Sequence, residues 1–227
     1  MSQRTGIAAV VAVLLSGVLV AWSLRQGPAE AARHLPVPRL DEARAQQPGR
    51  EAVVLAGGCF WGVQAVFEHV RGVRSATAGY AGGSAATAQY ETVSTGTTGH
   101  AESVQVIYDP AQVSLGQLLQ VYFSVVHNPT ELDRQGPDVG TQYRSEIFYS
   151  GAEQARIAKA YIAQLGAAHL FARPIVTALA PLPGFYRAEA YHQDYAAHHP
   201  EDLYIRINDA PKVAALQQAW PALWRAR

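Results

Sequence analysis

One short run constrains this chain more than any other: Val53-Val54-Leu55-Ala56, then Gly57-Gly58, then Cys59-Phe60-Trp61-Gly62. The first four residues are a continuous apolar segment of strand length. After the glycines, Phe60, Val63, Val66, Phe67 and Val70 recur at helical spacing. A strand therefore hands over to a helix within a few residues, and glycines permit so sharp a turn. Cys59 falls at the handover, where unpaired N–H groups and the positive end of the helix dipole favour thiolate over thiol. It is the only cysteine among 227 residues. One sulfur forms no internal disulfide and cannot supply a multi-cysteine metal site. It is either an inert core residue or a reactive thiol. The strand–glycine–cysteine–helix setting favours the second.

Eighteen basic and eighteen acidic residues cancel, so nothing in the charge argues for nucleic acid or another polyanion. A small or nearly neutral substrate fits better. Between Arg4 and Arg25 the chain is apolar and uncharged. Residues 6–24 as a helix span roughly 28 Å, close to the hydrocarbon thickness of a bilayer. Residues 1–25 thus read as a membrane anchor or as a cleaved export signal, with Ala29-Glu30-Ala31 as an A-x-A-like site. Arginines on both sides leave the orientation open. Both readings send the chain to the membrane, and an extracytoplasmic, periplasmic domain is the expectation. Residues 26–50, broken by Pro28, Pro36, Pro38 and Pro48, read as a linker with no core of its own. The catalytic domain is expected over 51–227, acting as a monomer.

Within it, strands are expected over Val73–Tyr80, Ser103–Tyr108, Glu146–Tyr149 and Ile175–Leu179. Ser114 and Gln117 form a capping-box pattern ahead of the apolar face Leu115, Leu118, Leu119, Tyr122, Phe123 and Val126. Ser150 and Glu153 repeat it for a helix running to Leu165, with Gly166 as its stop. A last helix is expected in Lys212–Trp224. Interleaved strands and one-sided helices suit an α+β fold. The expectation is a two-layer α/β sandwich, ferredoxin-like, with a mixed sheet, helices on one face and a loop-rich C-terminal wrap.

Four segments carry polar groups that a core does not need: the cysteine motif, Gln89-Tyr90-Glu91, Gly99-His100-Ala101-Glu102 and Asp138-Val139-Gly140-Thr141-Gln142-Tyr143-Arg144-Ser145. With Gly-Cys-Phe-Trp-Gly, Thr-Gly-His-Ala-Glu and Gly-Thr-Gln-Tyr-Arg-Ser in this order, the chain resembles the A-type peptide methionine sulfoxide reductases from about Glu51 to beyond Pro211. The resemblance implies thiol-dependent reduction of methionine S-sulfoxide, free or peptide-bound, through a cysteine sulfenic acid, as protein repair. It implies Cys59 as nucleophile and Glu102 as acid. Tyr90 and Tyr143 become hydroxyl donors to the same oxygen, Asp138 a residue acting near the site through water, and Phe60 and Trp61 the aromatic walls for the methyl group.

The chemistry agrees with those roles. A sulfoxide sulfur is a poor electrophile until its oxygen is hydrogen-bonded or protonated, and a carboxyl in an enclosed apolar site keeps its proton. The chain departs from relatives that carry a second cysteine near the C-terminus. With one sulfur, oxidised Cys59 must be recycled by an outside thiol: a thioredoxin-like protein, a glutaredoxin system or a small thiol. No bound cofactor is implied. Competing readings are a cysteine hydrolase using His100 or His192 as base, and a membrane-tethered binder of oxidised methionine that does not turn it over. His100 can instead order its loop. His192, His198 and His199 invite a metal, but no cysteine joins them and Pro200 follows directly.

Overall fold

The computed structural model describes residues 34–227. The anchor or export segment, 1–25, and the start of the polar stretch after it lie outside the described residues.

The chain runs β1 (Glu51–Gly57), α1 (Phe60–Glu68), β2 (Val73–Ala81), α2 (Tyr90–Val93), β3 (Ala101–Tyr108) and α3 (Leu115–Val121). A π-helical turn, Tyr122–Val126, extends α3. The small hairpin β4 (Arg134–Gln135) and β5 (Asp138–Val139) follows, then β6 (Ser145–Tyr149), α4 (Ala152–Ala167), β7 (Ala178–Pro181) and β8 (Phe185–Arg187). Two helices close the chain, α5 (Tyr195–His198) and α6 (Ala210–Ala219). The main sheet has the order β7-β6-β1-β3-β2-β8. All its pairs are antiparallel except β6 with β7. β1 and β2 flank β3 and are joined through α1, which makes a split β-α-β unit. The inner strands with α1 and α3 make the expected ferredoxin-like core, and the sheet is mixed.

Strand alternation sorts the two faces. Val53 and Leu55 of β1 join Val63, Val66 and Phe67 of α1, Leu118 and Leu119 of α3, and Ile157 and Tyr161 of α4 in one buried core. Each fully buried Leu here contributes roughly 1.5–3 kcal/mol. Val54 and Ala56 point the other way, to Ala81, Ala101 and Phe148, under Leu182 and Phe185. That second face is covered by the chain around β8 and not by a helix.

The capping box at α3 is complete: Gln117 N–H donates to Ser114 Oγ (3.3 Å), and Ser114 N–H donates to Gln117 Oε1 (3.1 Å). Four expectations need correction. Ser150 does not cap α4; Gly151 precedes the helix, while Ser150 N–H and Oγ both donate to Gln154 Oε1 (3.0 and 3.1 Å) and Glu153 pairs with Arg156. Gly166 does not stop α4, because the left-handed residue that ends it is His169 (φ 50°). The strand expected from Ile175 begins only at Ala178, since Val176 N–H is spent on Pro129 O (2.8 Å), outside the sheet. The last helix lies earlier than expected, at Ala210–Ala219, and stops ahead of Pro221. Beyond it Trp224 bridges Val70, closing the C-terminal segment onto the end of α1.

Residues 34–50 form no helix or strand, yet they pack. Leu35 is buried in the main core. Asp41 and Glu42 take the free N–H groups of α3: Gly116 N–H donates to Asp41 Oδ1 (2.8 Å) and Leu115 N–H to Glu42 Oε1 (2.7 Å). Carboxylates at a helix N-terminus satisfy orphan donors and the dipole together. The compact unit therefore extends upstream of Glu51.

Candidate active site

β1 ends at Gly57, and Gly58 turns the chain with φ 91°. A Cβ at Gly58 would lie 2.7 Å from Gln135 Cβ and Cγ, so the turn needs glycine on two counts. Gln135 is held there by Asn128, whose N–H donates to Gln135 Oε1 (3.0 Å). Tyr122 OH donates to Ala56 O (2.6 Å) and fixes the end of β1 from beneath. Cys59 then occupies the N-cap of α1, the predicted handover.

Glu102, second in β3, pairs with Tyr80 across the sheet, and its carboxylate oxygen accepts the N–H of Phe60 (3.0 Å). The acid is thus bonded to the residue next to the sulfur. Burial pushes its pKa up to about 8; the Phe60 N–H opposes this, and Asp138 and Asp209 add to it. The carboxyl keeps its proton at neutral pH.

Cys59 departs from expectation. It is 8% exposed. Burial, with the Glu102 and Asp209 carboxyl groups nearby, pushes its thiol well above the ordinary value, and the Trp61 N–H opposes this. The helix terminus was expected to favour thiolate. For a buried sulfur among carboxyl groups, desolvation outweighs it.

Tyr90 opens α2 and Tyr143 closes the turn Thr141–Tyr143. Burial raises both phenols, and each also feels Glu102 and Cys59, so both hydroxyls stay protonated and are coupled to the same pair. Asp138, on β5, accepts a short hydrogen bond from Tyr204 OH (2.5 Å). Burial raises its pKa, while Tyr204 and Lys212 pull it back. Phe60 is fully buried, 5.0 Å from His192 and 5.9 Å from Tyr80 between ring centres. Trp61 is half-buried, stacks on Tyr195 (3.8 Å, 9°) and meets Tyr204 edge-on. The fold thus brings Cys59, Glu102, Tyr90, Tyr143 and Asp138 into one electrostatically coupled group, with Trp61 and Phe60 beside it.

His100 is not a base for Cys59. Its Nδ1 accepts Gly83 N–H (3.2 Å) and its Nε2 bonds Ser84 O (2.9 Å), so both nitrogens order the glycine loop. Among the described residues, no three His, Cys, Asp or Glu side chains converge as a metal site.

Sequence reasoning weighed His192 only as a hydrolase base or metal ligand, and passed over Tyr195, Tyr204 and Asp209 in the tail. His192 accepts the Trp61 indole N–H on Nδ1 (3.2 Å), lies 4.4 Å from the Tyr90 ring, and has a buried Nε2 without a hydrogen-bond partner among the described residues. Tyr195 and Tyr204 complete the wall around Trp61, and Asp209 is wholly buried beside α1. The available signal was the concentration of aromatic residues, Tyr186 to Tyr204, in a segment without periodicity.

The family model described as "Peptide methionine sulfoxide reductase" matches residues 51–223. The chain belongs to this family. It is 57% identical over 185 residues to peptide methionine sulfoxide reductase MsrA 2 of Mesorhizobium japonicum, covering 82% of this chain and 94% of that one. It is 50% identical over 175 residues to MsrA of Thermus thermophilus, covering 77% and 98%. Among solved structures, methionine sulfoxide reductase A of Corynebacterium diphtheriae superposes with a TM-score of 0.58 at 36% identity, covering 76% and 88%. Reduced Mxr1 of Saccharomyces cerevisiae gives a TM-score of 0.62 at 28% identity, covering 70% and 94%. The chain is thus a peptide methionine sulfoxide reductase, an oxidoreductase of protein repair.

Proposed function

We propose that Cys59 attacks the sulfur of a methionine S-sulfoxide while Glu102 protonates the oxygen and the hydroxyls of Tyr90 and Tyr143 hold it. One oxygen passes to Cys59, the sulfoxide gains two electrons, and methionine leaves behind a sulfenic acid. Trp61 and Phe60 wall the methyl group, and Asp138 acts through water. The reading is carried by Glu102: a buried acid, protonated to about pH 8, bonded to the N–H of the residue after Cys59. Two equivalents of an outside thiol, from a thioredoxin-like protein, a glutaredoxin system or a small thiol, then return Cys59 to its thiol with loss of water and formation of a disulfide. The count of one cysteine supports this route.

The proposal includes a monomer with its catalytic domain outside the cytoplasm, supported by the uncharged stretch between Arg4 and Arg25. N-terminal sequencing of membrane-associated protein separates anchor from cleaved signal. The chemistry is tested by adding one equivalent of a methyl sulfoxide without reductant and weighing the intact protein. One added oxygen, absent in Cys59→Ser, is the expected result. If the sulfoxide is an ester of N-acetylmethionine sulfoxide, an acyl adduct with release of the alcohol would replace the mechanism with hydrolysis, and an unchanged mass would leave only binding.

A further inference from the structure

Beneath the first turn of α1 lies a charge pair that the sulfoxide chemistry above does not use. Asp209, at the start of α6, is 0% exposed. Its Oδ1 accepts from Lys212 Nζ at 3.1 Å, and its buried Oδ2 has no hydrogen-bond partner among the described residues. The pair presses on Gly62, three residues past Cys59: a Cβ there would lie 2.7 Å from Asp209 Cγ and 2.9 Å from Lys212 Nζ. Glycine at 62 therefore exists to admit this pair. A buried carboxylate with one oxygen unsatisfied costs folding energy, so its position needs a reason.

The charges around Cys59 supply one. Glu102 from β3 and Asp138 from β5 act on it electrostatically, as it does on the phenols Tyr90, Tyr143, Tyr195 and Tyr204. Asp209 itself faces Lys212, Asp138 and Asp202. Both Cys59 and Glu102 register the negative charge of Asp209. Lys212 is the cation set among these acids, felt by Asp138 and Asp209 alike.

We propose that Asp209 and Lys212 are positioning residues: a paired charge under the first turn of α1 that decides how much anionic character the Cys59 sulfur takes on before substrate arrives. The inference rests on Cys59 as the attacking atom. It is tested without sulfoxide, so its failure is distinct from failure of the reductase mechanism.

The measurement is the rate and pH profile of iodoacetamide alkylation of the lone cysteine, read by intact mass on full-length protein whose circular dichroism matches wild type. Asp209→Asn leaves Lys212 uncompensated. It should alkylate about 10-fold faster at a fixed pH, with its profile displaced to lower pH. Adding Lys212→Met to that variant should return the rate to within about 3-fold of wild type, because a neutral pair replaces a neutral pair. A purely structural pair predicts the double variant to be at least as disturbed as the single one. An unchanged Asp209→Asn profile, or a double variant as fast as the single, overturns the proposal. If Asp209→Asn does not fold, Lys212→Met alone decides: alkylation slowed at least about 2-fold supports it, and an unchanged or faster rate overturns it.

Discussion

Replacing Glu102 with Gln separates what the acid costs the fold from what it gives the reaction. Glu102 has its pKa lifted from the ordinary 4.5 to about 8, chiefly by burial. The folded protein therefore holds this proton more tightly than the unfolded chain. Below pH 4.5 both states carry the proton and the shift costs nothing. As pH rises towards 8 the unfolded chain releases a proton that the folded one keeps, and stability is lost. At pH 7 the loss amounts to about 3 kcal/mol, a sizeable share of the roughly 5–15 kcal/mol that holds a domain together. Gln keeps the shape, can accept the Phe60 N–H, and does not titrate. The stability of Glu102→Gln relative to wild type should therefore rise by about 3 kcal/mol between pH 4.5 and pH 7. Urea unfolding at the two pH values reads this directly. Glu68, also lifted to about 8, is common to both proteins and cancels in the difference. The same substitution should lower turnover on the order of 10²–10³, as when one oxyanion donor is removed. Wild-type kcat/KM should fall above about pH 8, as Glu102 loses its proton. A stability gap that does not change with pH would refute the reasoning, whatever happens to the rate.

Tyr143→Phe or Tyr90→Phe should lower kcat about 10-fold with KM little changed, and the double variant should lose on the order of 10², since each hydroxyl gives one hydrogen bond to the developing charge. Steady-state kinetics with a saturating thiol checks this, and a rise in KM at constant kcat would reassign the phenols to simple binding. Gly62→Ala should lower the melting temperature by roughly 3–8 °C, because overpacking against the buried Asp209–Lys212 pair outweighs the better helix propensity of Ala. A melting temperature at or above that of wild type, read by calorimetry, would show that the pair yields freely.

The parts of the fold written in local pattern were legible. The run from Val53 to Val70 specified strand, turn and helix because its apolar periods change from continuous to helical across two glycines. The box at Ser114 and Gln117 was legible because a cap is a contact between residues three apart. The errors at Ser150, Gly166 and Ile175 have separate causes: Ser150 bonds Gln154 in place of capping, the left-handed residue falls at His169, and Val176 N–H goes to Pro129 O, far away in the sequence. In the site, Glu102 and the two tyrosines were legible only through resemblance, since an acid on a strand and a half-buried phenol carry no local sign of convergence. The ionisation of Cys59 was misread for the same reason. The helix terminus is visible in sequence, but the carboxyls of Glu102, Asp138 and Asp209 come to it from 43 residues away and more.

That misreading bears on the chemistry. Thiol and sulfoxide give sulfenic acid and thioether without net uptake or release of a proton: the hydrogen that begins on sulfur ends on the transferred oxygen. A resting site with Cys59 as thiol and Glu102 as acid already holds the protons needed to activate the oxygen and to leave Glu102 unchanged after transfer. A resting thiolate beside Glu102 would need one from outside. It would also react with any oxidant small enough to enter, and this chain has no second cysteine to trap the product. Burial that holds the sulfur neutral, with the carboxyl groups around it, therefore does not oppose the reaction. Under the proposed mechanism, ionisation then depends on the sulfoxide, whose oxygen would draw on the Glu102 proton and leave a carboxylate near Cys59 able to take the thiol proton in return. On the mechanism proposed above, the acid and the nucleophile act as one proton-conserving pair, with the phenols of Tyr90 and Tyr143 holding the oxygen while the hydrogen crosses.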